Sequence, residues 1–526
     1  MSQSAAAPGL YFEAVRPAAA AAPLRTDVAG FAGRTRRGPF GAAVRVTGWR
    51  EYLQVFGGIL ADADTPLAIQ GYFDNGGDVA WVVRLPAGRA PDEAGTTAAA
   101  IWDLTRPGPG ASAWNGWSPA GAGFGATRFR VEASSPGPWG AGVRLEARYR
   151  SRGTTNRAEV DLIVRAAGEP EERLIGLDPA SIADAAAAAS DLIRLVPLDP
   201  FPSKQPTGAG PQLLRWQPLA LSGGSEHALD IADYTAALAV LGDQSEVALT
   251  GFPDLHADLG GAALELQVAA IAQAEALHDR LVVLDLPPAP DAEAVIRWSG
   301  SMRNAAGQPG ARAAAAYHPP VSVADPLGGI ARPMRTIAPS GHVAGLISGL
   351  DRSRGAQYTP ANATLSGVAD VASSYDLAGR AALNEAGINL LLCRPGQGIQ
   401  VWGGRTLLDR PEGRYIAHRR LIHRLVRAVR RAAEPLVFET NGPALRLALV
   451  RAATSVLLEA WRAGGLQGSR AEEAFQVRCD AGNNPPDQQE LGVAICEIAL
   501  APAVPMEFVT LRISLSAQGS LDVFES

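Results

Sequence analysis

Strand-like and helix-like segments alternate between residues 231 and 317, and this alternation constrains the fold more than any other feature of the chain. Parallel strands are joined by crossover connections, which are usually helices. The sequence therefore predicts an α/β unit built on a parallel sheet. In chain order the segments are helical at 231–241, extended at 247–250, helical at 264–277, extended at 281–286, helical at 292–304 and extended at 313–317.

The stretch 387–406, GINLLLCRPGQGIQVWGGRT, marks a change in this pattern. Two extended runs, 388–393 and 399–402, flank the breaker Arg394-Pro395-Gly396. Strand-like and helix-like segments alternate before this stretch, and a strongly basic helix follows it. We therefore predict a boundary between two packed units after Pro395.

Length and composition describe a globular protein of several units. With 526 residues and 47% apolar content, the chain is expected to form about two to four compact units. A formal charge of −6 argues against a general nucleic-acid binder. Neither a secretion signal nor a run of 18 apolar residues is found in the sequence. The three cysteines form no CxxC motif, so we interpret Cys393, Cys479 and Cys496 as small core residues of a chain folded in a reducing cytoplasm.

Motifs for cofactor chemistry are incomplete. Lys204 is the only lysine and Ser203 precedes it, so no P-loop is present. Val401 stands where a dinucleotide-binding motif would have its third glycine. Asp254, His256 and Asp258 alternate in PDLHAD and could hold a cation, but these residue types are common in a loop after a strand. We expect neither a cofactor nor a metal.

The strongest indication of an enzyme is GHVAG at 341–345, which is similar to the catalytic histidine motif of subtilisin-type proteases. In those enzymes the triad runs Asp, His, Ser along the chain. No GTSMAxP serine motif follows His342, and Gly300-Ser301-Met302 precedes it on a predicted helix. Without a nucleophile beside the base no acyl transfer takes place. We predict no catalytic residue, and a subtilisin-like hydrolase stays as an alternative.

Both ends of the chain contain strand-like segments without a local pairing partner. Apolar and polar side chains nearly alternate in 8–16, between stretches rich in Pro and Ala. A lone strand is unstable in water and should add to the edge of a sheet elsewhere. The alternative is a frayed terminus. Residues 506–526 are the second candidate arm.

The stretch 387–406 also carries a family resemblance. It resembles the segment RPfPGrGIrVWGaRTL, preceded by GvN and a strand, of contractile tail sheath proteins from phages and phage-like injection systems. Similar matches cover most of the chain outside 91–224, among them Asn75-Gly76-Gly77 and Phe475. The matching residues of the central stretch are Gly387, Asn389, Arg394, Pro395, Gly396, Gly398, Ile399, Val401, Trp402, Gly403, Arg405 and Thr406.

The resemblance implies an organisation. It implies a subtilisin-like, three-layer α/β domain, an α+β C-terminal domain, a β-rich surface insertion and extended terminal arms. We predict an N-terminal arm at 1–26, the α/β domain at 27–90 and 225–395, the insertion at 91–224, the C-terminal domain at 396–505 and a C-terminal strand or arm at 506–526.

The resemblance also implies a structural function. Such a subunit polymerises around an inner tube as a helical sheath, built from hexameric rings, and contracts from a metastable state to drive the tube through a target membrane. Baseplate and tail terminator or cap proteins would be further partners. The protein would be made in the bacterial cytoplasm and would neither bind nucleic acid nor insert into a membrane. A non-contractile cap or baseplate relative is a second alternative.

Two sets of residues are predicted to make contacts between subunits. A basic amphipathic helix at 414–433 presents four arginines that lie either in solvent or against a neighbour or the tube: Arg420, Arg424, Arg427 and Arg431. The resemblance implies strand exchange between the arms and a sheet at 475–480 and 491–499. The residues predicted for this exchange are Leu10, Tyr11, Phe12, Glu13, Val15, Phe475, Val477, Val493, Ile495, Phe508, Val509, Leu511 and Ile513.

Overall fold

The computed structural model describes most of the chain. The described residues are 24–103, 128–152, 157–178, 181–198, 213–215, 218–289, 291–410, 413–437, 439–503, 509–515 and 521–525.

The strands are numbered in chain order. They are β1 Ala29–Gly33, β2 Ala43–Val46, β3 Ala80–Arg84, β4 Gly95–Thr96, β5 Ala99–Asp103, β6 Arg128–Ala133, β7 Arg144–Arg152, β8 Arg157–Arg165, β9 Glu172–Leu177, β10 Ile193–Pro197, β11 Leu213–Arg215, β12 Leu219–Ala220, β13 Ser225–Glu226, β14 Leu249–Gly251, β15 Leu281–Asp285, β16 Ala314–His318, β17 Val321–Ala324, β18 Met334–Ile337, β19 Val368–Val371, β20 Ile388–Arg394, β21 Gly398–Trp402, β22 Phe475–Arg478, β23 Ala494–Leu500, β24 Val509–Leu515 and β25 Leu521–Glu525.

The helices are numbered in the same way. They are α1 Trp49–Phe56, α2 Thr65–Asp74, α3 Pro91–Ala94, α4 Ile182–Ala189, α5 Ile231–Gly242, α6 Leu255–Leu259, α7 Ala263–Leu277, α8 Ala292–Ala311, α9 Ser340–Ser353, α10 Leu377–Glu385, α11 Ile416–Ala433, α12 Pro443–Arg462, α13 Ala471–Ala474 and α14 Pro486–Glu490. In the described part of the chain every helix is too short or too polar to span a bilayer.

A large sheet forms the centre of the molecule, in the order β2-β3-β1-β14-β15-β16-β20-β21. The six strands from β3 to β20 are parallel, and an antiparallel strand closes each edge. The strand order changes direction beside β1, because β3 lies on one side of it and β14 on the other. The predicted α/β fold with a parallel sheet is confirmed.

Helices cover both faces of this sheet. One face packs under α1, α2 and α9, with Phe56, Tyr72 and Ile347 in its core. The other packs under α5, α7, α8 and α10, with Leu238 and Ile271 in its core. Each such buried side chain stabilises the fold by roughly 1.5–3 kcal/mol. Burial on both faces explains why the strands read as continuous apolar runs in the sequence.

Aspartates start three of the covering helices. Asp230 accepts a hydrogen bond from the Ala232 amide at 2.9 Å at the start of α5. Asp291 and Asp376 cap α8 and α10, each accepting an amide hydrogen bond of 2.8 Å. Such a cap contributes about 1 kcal/mol, since it satisfies an amide that the helix leaves unpaired.

The insertion leaves and rejoins the α/β unit through the short pair β4 and β13. Within it, β5 and β10 flank β6, and a second sheet has the order β11-β7-β8-β9. The three runs of alternating apolar and polar residues at 127–133, 142–149 and 158–165 therefore do not form one sheet, because β6 belongs to a different sheet from β7 and β8. A 3-10 turn at Pro138–Gly142 redirects the chain between the two sheets, which share one apolar core.

The C-terminal unit consists of α11 and α12 packed on the antiparallel sheet β22-β23-β24-β25. Its start differs from the boundary that we predicted after Pro395. β21 pairs with β20 from Leu390 opposite Trp402 to Arg394 opposite Gly398, so the main sheet extends to Trp402. The breaker residues form the turn of this hairpin, where Gly396 has a φ of 76°.

Candidate assembly site

The carboxyl edge of a parallel sheet is where α/β proteins usually bind ligands. Here that edge carries Asp254, whose carboxylate accepts hydrogen bonds from the backbone amides of Asp64 (2.6 Å) and Arg34 (3.1 Å). It also accepts one from the Thr65 hydroxyl at 2.7 Å. Asp254 therefore fixes the start of α2 to the end of β1, which is a structural task. Sequence reasoning missed it because the partners lie about 190 residues apart.

The other two residues of PDLHAD also contact protein groups. The His256 Nε2 atom lies 2.8 Å from the Asp285 carbonyl oxygen. Asp258 accepts a hydrogen bond from the Tyr234 hydroxyl at 2.7 Å and pairs with Arg34 at 3.1 Å. Burial raises the pKa of Asp258 to about 6. Among the described residues no three metal-ligating side chains come together.

Asp285, at the end of β15, is the most perturbed carboxyl group of this edge. It is buried, and its Oδ1 atom accepts a hydrogen bond of 2.9 Å from the Ser340 amide at the start of α9. Its Oδ2 atom has no hydrogen-bond partner among the described residues. Burial raises the pKa of Asp285 to about 7, with a smaller contribution from the nearby Asp64 carboxylate. An acidic residue inside the predicted buried strand 281–286 was the signal that could have found it.

We expect Asp285→Asn to stabilise the protein in a pH-dependent way. The pKa of Asp285 is raised in the folded state, so wild-type stability falls as pH rises from about 4 to about 7, by on the order of 4 kcal/mol. Asparagine mimics the protonated acid and cannot ionise. The measurement is the melting temperature of both proteins across this pH range, where the advantage of the variant should grow with pH and then level off.

Asp184→Asn is the matched control, since Asp184 is exposed on α4. It should leave the pH profile of the wild type unchanged. An advantage of Asp285→Asn that stays constant with pH, or that shrinks as pH rises, would show that Asp285 ionises normally in the folded protein.

The protease-like motif GHVAG lies in α9, where it mediates helix packing. A Cβ atom on Gly341 would lie 2.1 Å from the Ala68 carbonyl oxygen of α2, and one on Gly345 would lie 2.2 Å from that of Tyr72. The His342 ring faces Gly71 in the same contact. Burial lowers the pKa of His342 to about 4, so its imidazole is neutral at physiological pH. The motif lets two helices approach closely, and His342 is a core histidine.

Helix α11 lies along the seam between the main sheet and the C-terminal unit, and its arginines correct one of our predictions. Arg420 is buried, forms an ion pair with Asp351 and donates to the Thr26 carbonyl oxygen at 2.7 Å. Arg420 therefore contacts its own chain, and the expectation that it meets a neighbour or the tube is wrong. The physical reason is that a long arginine side chain can satisfy its donors on carbonyls and carboxylates of the adjoining unit.

Arg427 is likewise buried and contacts its own chain. Its guanidinium donates to the carbonyl oxygens of Asp279 (3.0 Å), Arg25 (3.1 Å) and Glu246 (3.0 Å), and also to that of Val247. Burial lowers the pKa of Arg427 to about 10, which leaves it charged at neutral pH. The prediction for Arg427 is therefore wrong as well.

The two remaining arginines of the predicted set, Arg424 and Arg431, are half-buried. Contact of these two with a neighbour or the tube stays a prediction. Burial, together with the nearby guanidinium groups, keeps the pKa of His423 well below its usual value. The seam is thus a polar contact between two units of one chain.

The sheet predicted to receive foreign strands is present as β22 and β23. Phe475 and Val477 lie in β22, Ile495 lies in β23, and Val493 directly precedes it. Side chains of β23 alternate between buried and half-buried, so one face packs on α12 and the other is open. β22 is an edge strand of this sheet.

The C-terminal segment lies on the same sheet in this chain. β24, which contains Val509, Leu511 and Ile513, pairs with β23 from Leu500 opposite Val509 to Ala494 opposite Leu515, and β25 pairs with β24. The segment is therefore a hairpin rather than a single extended arm. The remaining residues predicted for strand exchange lie outside the described residues: Leu10, Tyr11, Phe12, Glu13, Val15 and Phe508.

Comparison with known proteins shows which class of protein this chain resembles. Residues 232–407 match the family model of the phage tail sheath protein central domain. Over 182 residues the chain is 28% identical to the tail sheath protein of Vibrio phage KVP40, a match that covers 34% of this chain and 26% of that protein. The resemblance to contractile tail sheath proteins found in the sequence is confirmed.

Solved structures extend the likeness to the whole fold. The sheath tail protein from Desulfitobacterium hafniense matches with a TM-score of 0.62 at 14% identity, over 97% of this chain and all (100%) of that one. The helical sheath of the anti-feeding prophage in its contracted state matches with a TM-score of 0.56 at 21% identity, over 95% and 97% of the two chains. At these identities the matches establish the shared fold.

Proposed function

We propose that this chain is the structural sheath subunit of a contractile phage tail or a phage-like contractile injection system. The observation that carries the proposal is the match of residues 232–407 to the phage tail sheath central domain. The likeness to the anti-feeding prophage sheath over 95% of the chain supports it. The subtilisin-like character of the α/β domain stays a prediction within this proposal.

Assembly would proceed by strand addition between copies. Among the described residues β22 is the outer strand of its sheet, and its outer edge would pair with an extended segment of another subunit, with the strand-like segment 8–16 as the proposed donor. The β24–β25 hairpin could occupy the same place on a neighbour that it occupies here, because an exchanged element keeps its contacts. Such main-chain links persist while the subunit bodies rotate.

Contraction would release energy stored at assembly. An extended lattice can be metastable, and a baseplate trigger would let subunits reach closer packing without fuel. Each subunit would need to gain only a few kcal/mol of packing free energy on contraction. Newly buried apolar surface would supply it, at about 25 cal/mol per Å². Summed over hexameric rings, this would drive an inner tube through a target membrane. The subunit would be made in the bacterial cytoplasm, and a terminator or cap protein would close the sheath.

The contacts of the residues at the carboxyl edge of the sheet favour a non-enzymatic role. Asp254 is used to hold α2, and His342 is used in the contact between α2 and α9. Both would need to be free to take part in acyl transfer. The alternative of a subtilisin-like hydrolase predicts covalent labelling by a serine-directed fluorophosphonate, and we expect none.

Electron microscopy of the protein expressed alone tests the proposal. We expect long, hollow, striated cylinders, because sheath subunits of this kind would carry their own assembly contacts. Discrete rings or single particles at all protein concentrations and salt conditions would contradict it and would favour the cap or baseplate alternative.

A further inference from the structure

Cys479 and Cys496 face each other across two neighbouring strands of the C-terminal sheet. Arg478, the last residue of β22, lies opposite Glu497 of β23. In an antiparallel pair the next position along β22 is opposite the preceding position of β23. Cys479 is therefore directly opposite Cys496.

Both side chains point to the same side of the sheet. Cys479 is 8% exposed and Cys496 is 3% exposed, and both belong to the apolar core under α12. The register places the two thiols side by side, and their interaction lowers the pKa of Cys479 and, together with burial, raises that of Cys496. Asn484 donates to the Cys479 sulfur at 4.0 Å and to the Ile495 carbonyl oxygen at 2.9 Å, which holds the loop between the cysteines in place.

This geometry meets the requirement for a disulfide. Directly opposed residues of an antiparallel pair have Cβ atoms about 4.5–5.5 Å apart. A disulfide needs Cα atoms about 4.4–6.8 Å apart, with Cβ atoms slightly closer than in an unbonded pair. Closing the bond therefore requires a small approach of the two strands together with a rotation of both side chains. Both cysteines are free thiols in this structure.

We propose that Cys479 and Cys496 form a redox-modification site, which closes to an intrachain disulfide when the protein meets a small-molecule disulfide such as oxidised glutathione. The inference stands on the strand register and does not depend on the proposed function. It also adds a reactive role to Cys479 and Cys496, which we interpreted from the sequence as small core residues.

The reaction balances as two thiol–disulfide exchanges. The Cys479 thiolate, which is the more exposed of the two, attacks the small disulfide and displaces one thiolate. The departing thiolate takes the proton of Cys496, which then attacks the Cys479 sulfur and displaces the second small thiolate. This thiolate takes up from solvent the proton that Cys479 released when it ionised. The protein loses two hydrogens and the small disulfide becomes two thiols.

The new bond would join β22 to β23 across a loop that contains α14. Closing this loop restricts the unfolded chain and so stabilises the folded sheet. In the described part of the sheet β22 is an edge strand that pairs with β23. The bond would fix the register between these two strands.

Mass spectrometry of the reduced full-length protein, incubated with oxidised glutathione and then alkylated, tests the inference. Trypsin leaves both cysteines in one peptide, 479–512, because neither Lys nor Arg lies between Cys479 and Arg512. We expect this peptide to be unalkylated and lighter by two hydrogens in nearly all molecules. The exposed Cys393 falls in peptide 381–405, because Pro395 prevents cleavage after Arg394, and it should be glutathionylated or alkylated instead.

Two variants sharpen the test. Cys393→Ala should form the internal bond as the wild type does. Cys496→Ala should leave a glutathione adduct on Cys479, and its melting temperature should not rise on oxidation as that of the wild type does. Recovery of wild-type peptide 479–512 with two alkylated cysteines, or with a glutathione on either one, would overturn the inference, even if Cys496→Ala fails to fold.

Discussion

Deletion of residues 1–20 is expected to abolish tube formation and leave a folded monomer. The reason is that the strand-like segment 8–16 is proposed to add to the sheet of another copy, while the described core begins after it. Main-chain hydrogen bonds to a neighbour would be lost, but no described contact within the chain would be. Size-exclusion chromatography and negative-stain microscopy of the variant measure the two parts of this expectation.

A shorter deletion provides the matched control. Removal of residues 2–7 shortens the terminus but keeps Pro8 to Arg16 intact, so tubes should still form. Tubes of normal length from the 1–20 deletion would refute the proposed role of the N-terminal segment. Aggregation of the 1–20 deletion would show that the segment also serves its own subunit.

Gly345→Ala is expected to destabilise the α/β unit by roughly 3 kcal/mol, the upper end of what overpacking a core usually costs. The added Cβ would lie 2.2 Å from the Tyr72 carbonyl oxygen and 2.8 Å from the Tyr72 Cα atom. Both are backbone atoms of α2, which cannot rotate away as a side chain can. The helices must therefore separate, and the core beneath them loses contact. Chemical denaturation followed by circular dichroism measures the loss.

The matched control is Gly300→Ala in α8. Nothing lies within 4 Å of a Cβ atom built on Gly300, so alanine adds no clash there. It should stabilise the protein by about 0.5–1 kcal/mol through helix propensity alone. Equal effects of the two substitutions would show that the contact between α2 and α9 is not the close approach described here.

The central sheet was predictable because its signal is local. A buried parallel strand is a short apolar run, and the helix that follows has its own periodicity, so 247–250, 281–286 and 313–317 identify β14, β15 and β16. The aspartates that begin α5, α8 and α10 are equally local signals. Features that depend on a few adjacent residues can be predicted from the sequence without knowledge of the tertiary structure.

The seam and the carboxyl edge were not predictable from such signals. The arginine face of α11 has the pattern of a solvated surface, yet Arg427 donates to carbonyl oxygens 148 to 402 residues away in sequence. Asp254 and Asp285 acquire their partners only when the sheet has formed. Periodicity reports which side chains share a face, but it does not report what covers that face.

Cryo-electron microscopy of the assembled protein, at a resolution that traces strands, would show whether subunits are joined by exchanged strands. We predict that a strand from another subunit pairs beside β22 or β23, and that its sequence is that of 8–16 or of the C-terminal hairpin. A reconstruction in which both termini fold back on their own subunit, with no foreign strand beside residues 475–500, would contradict it.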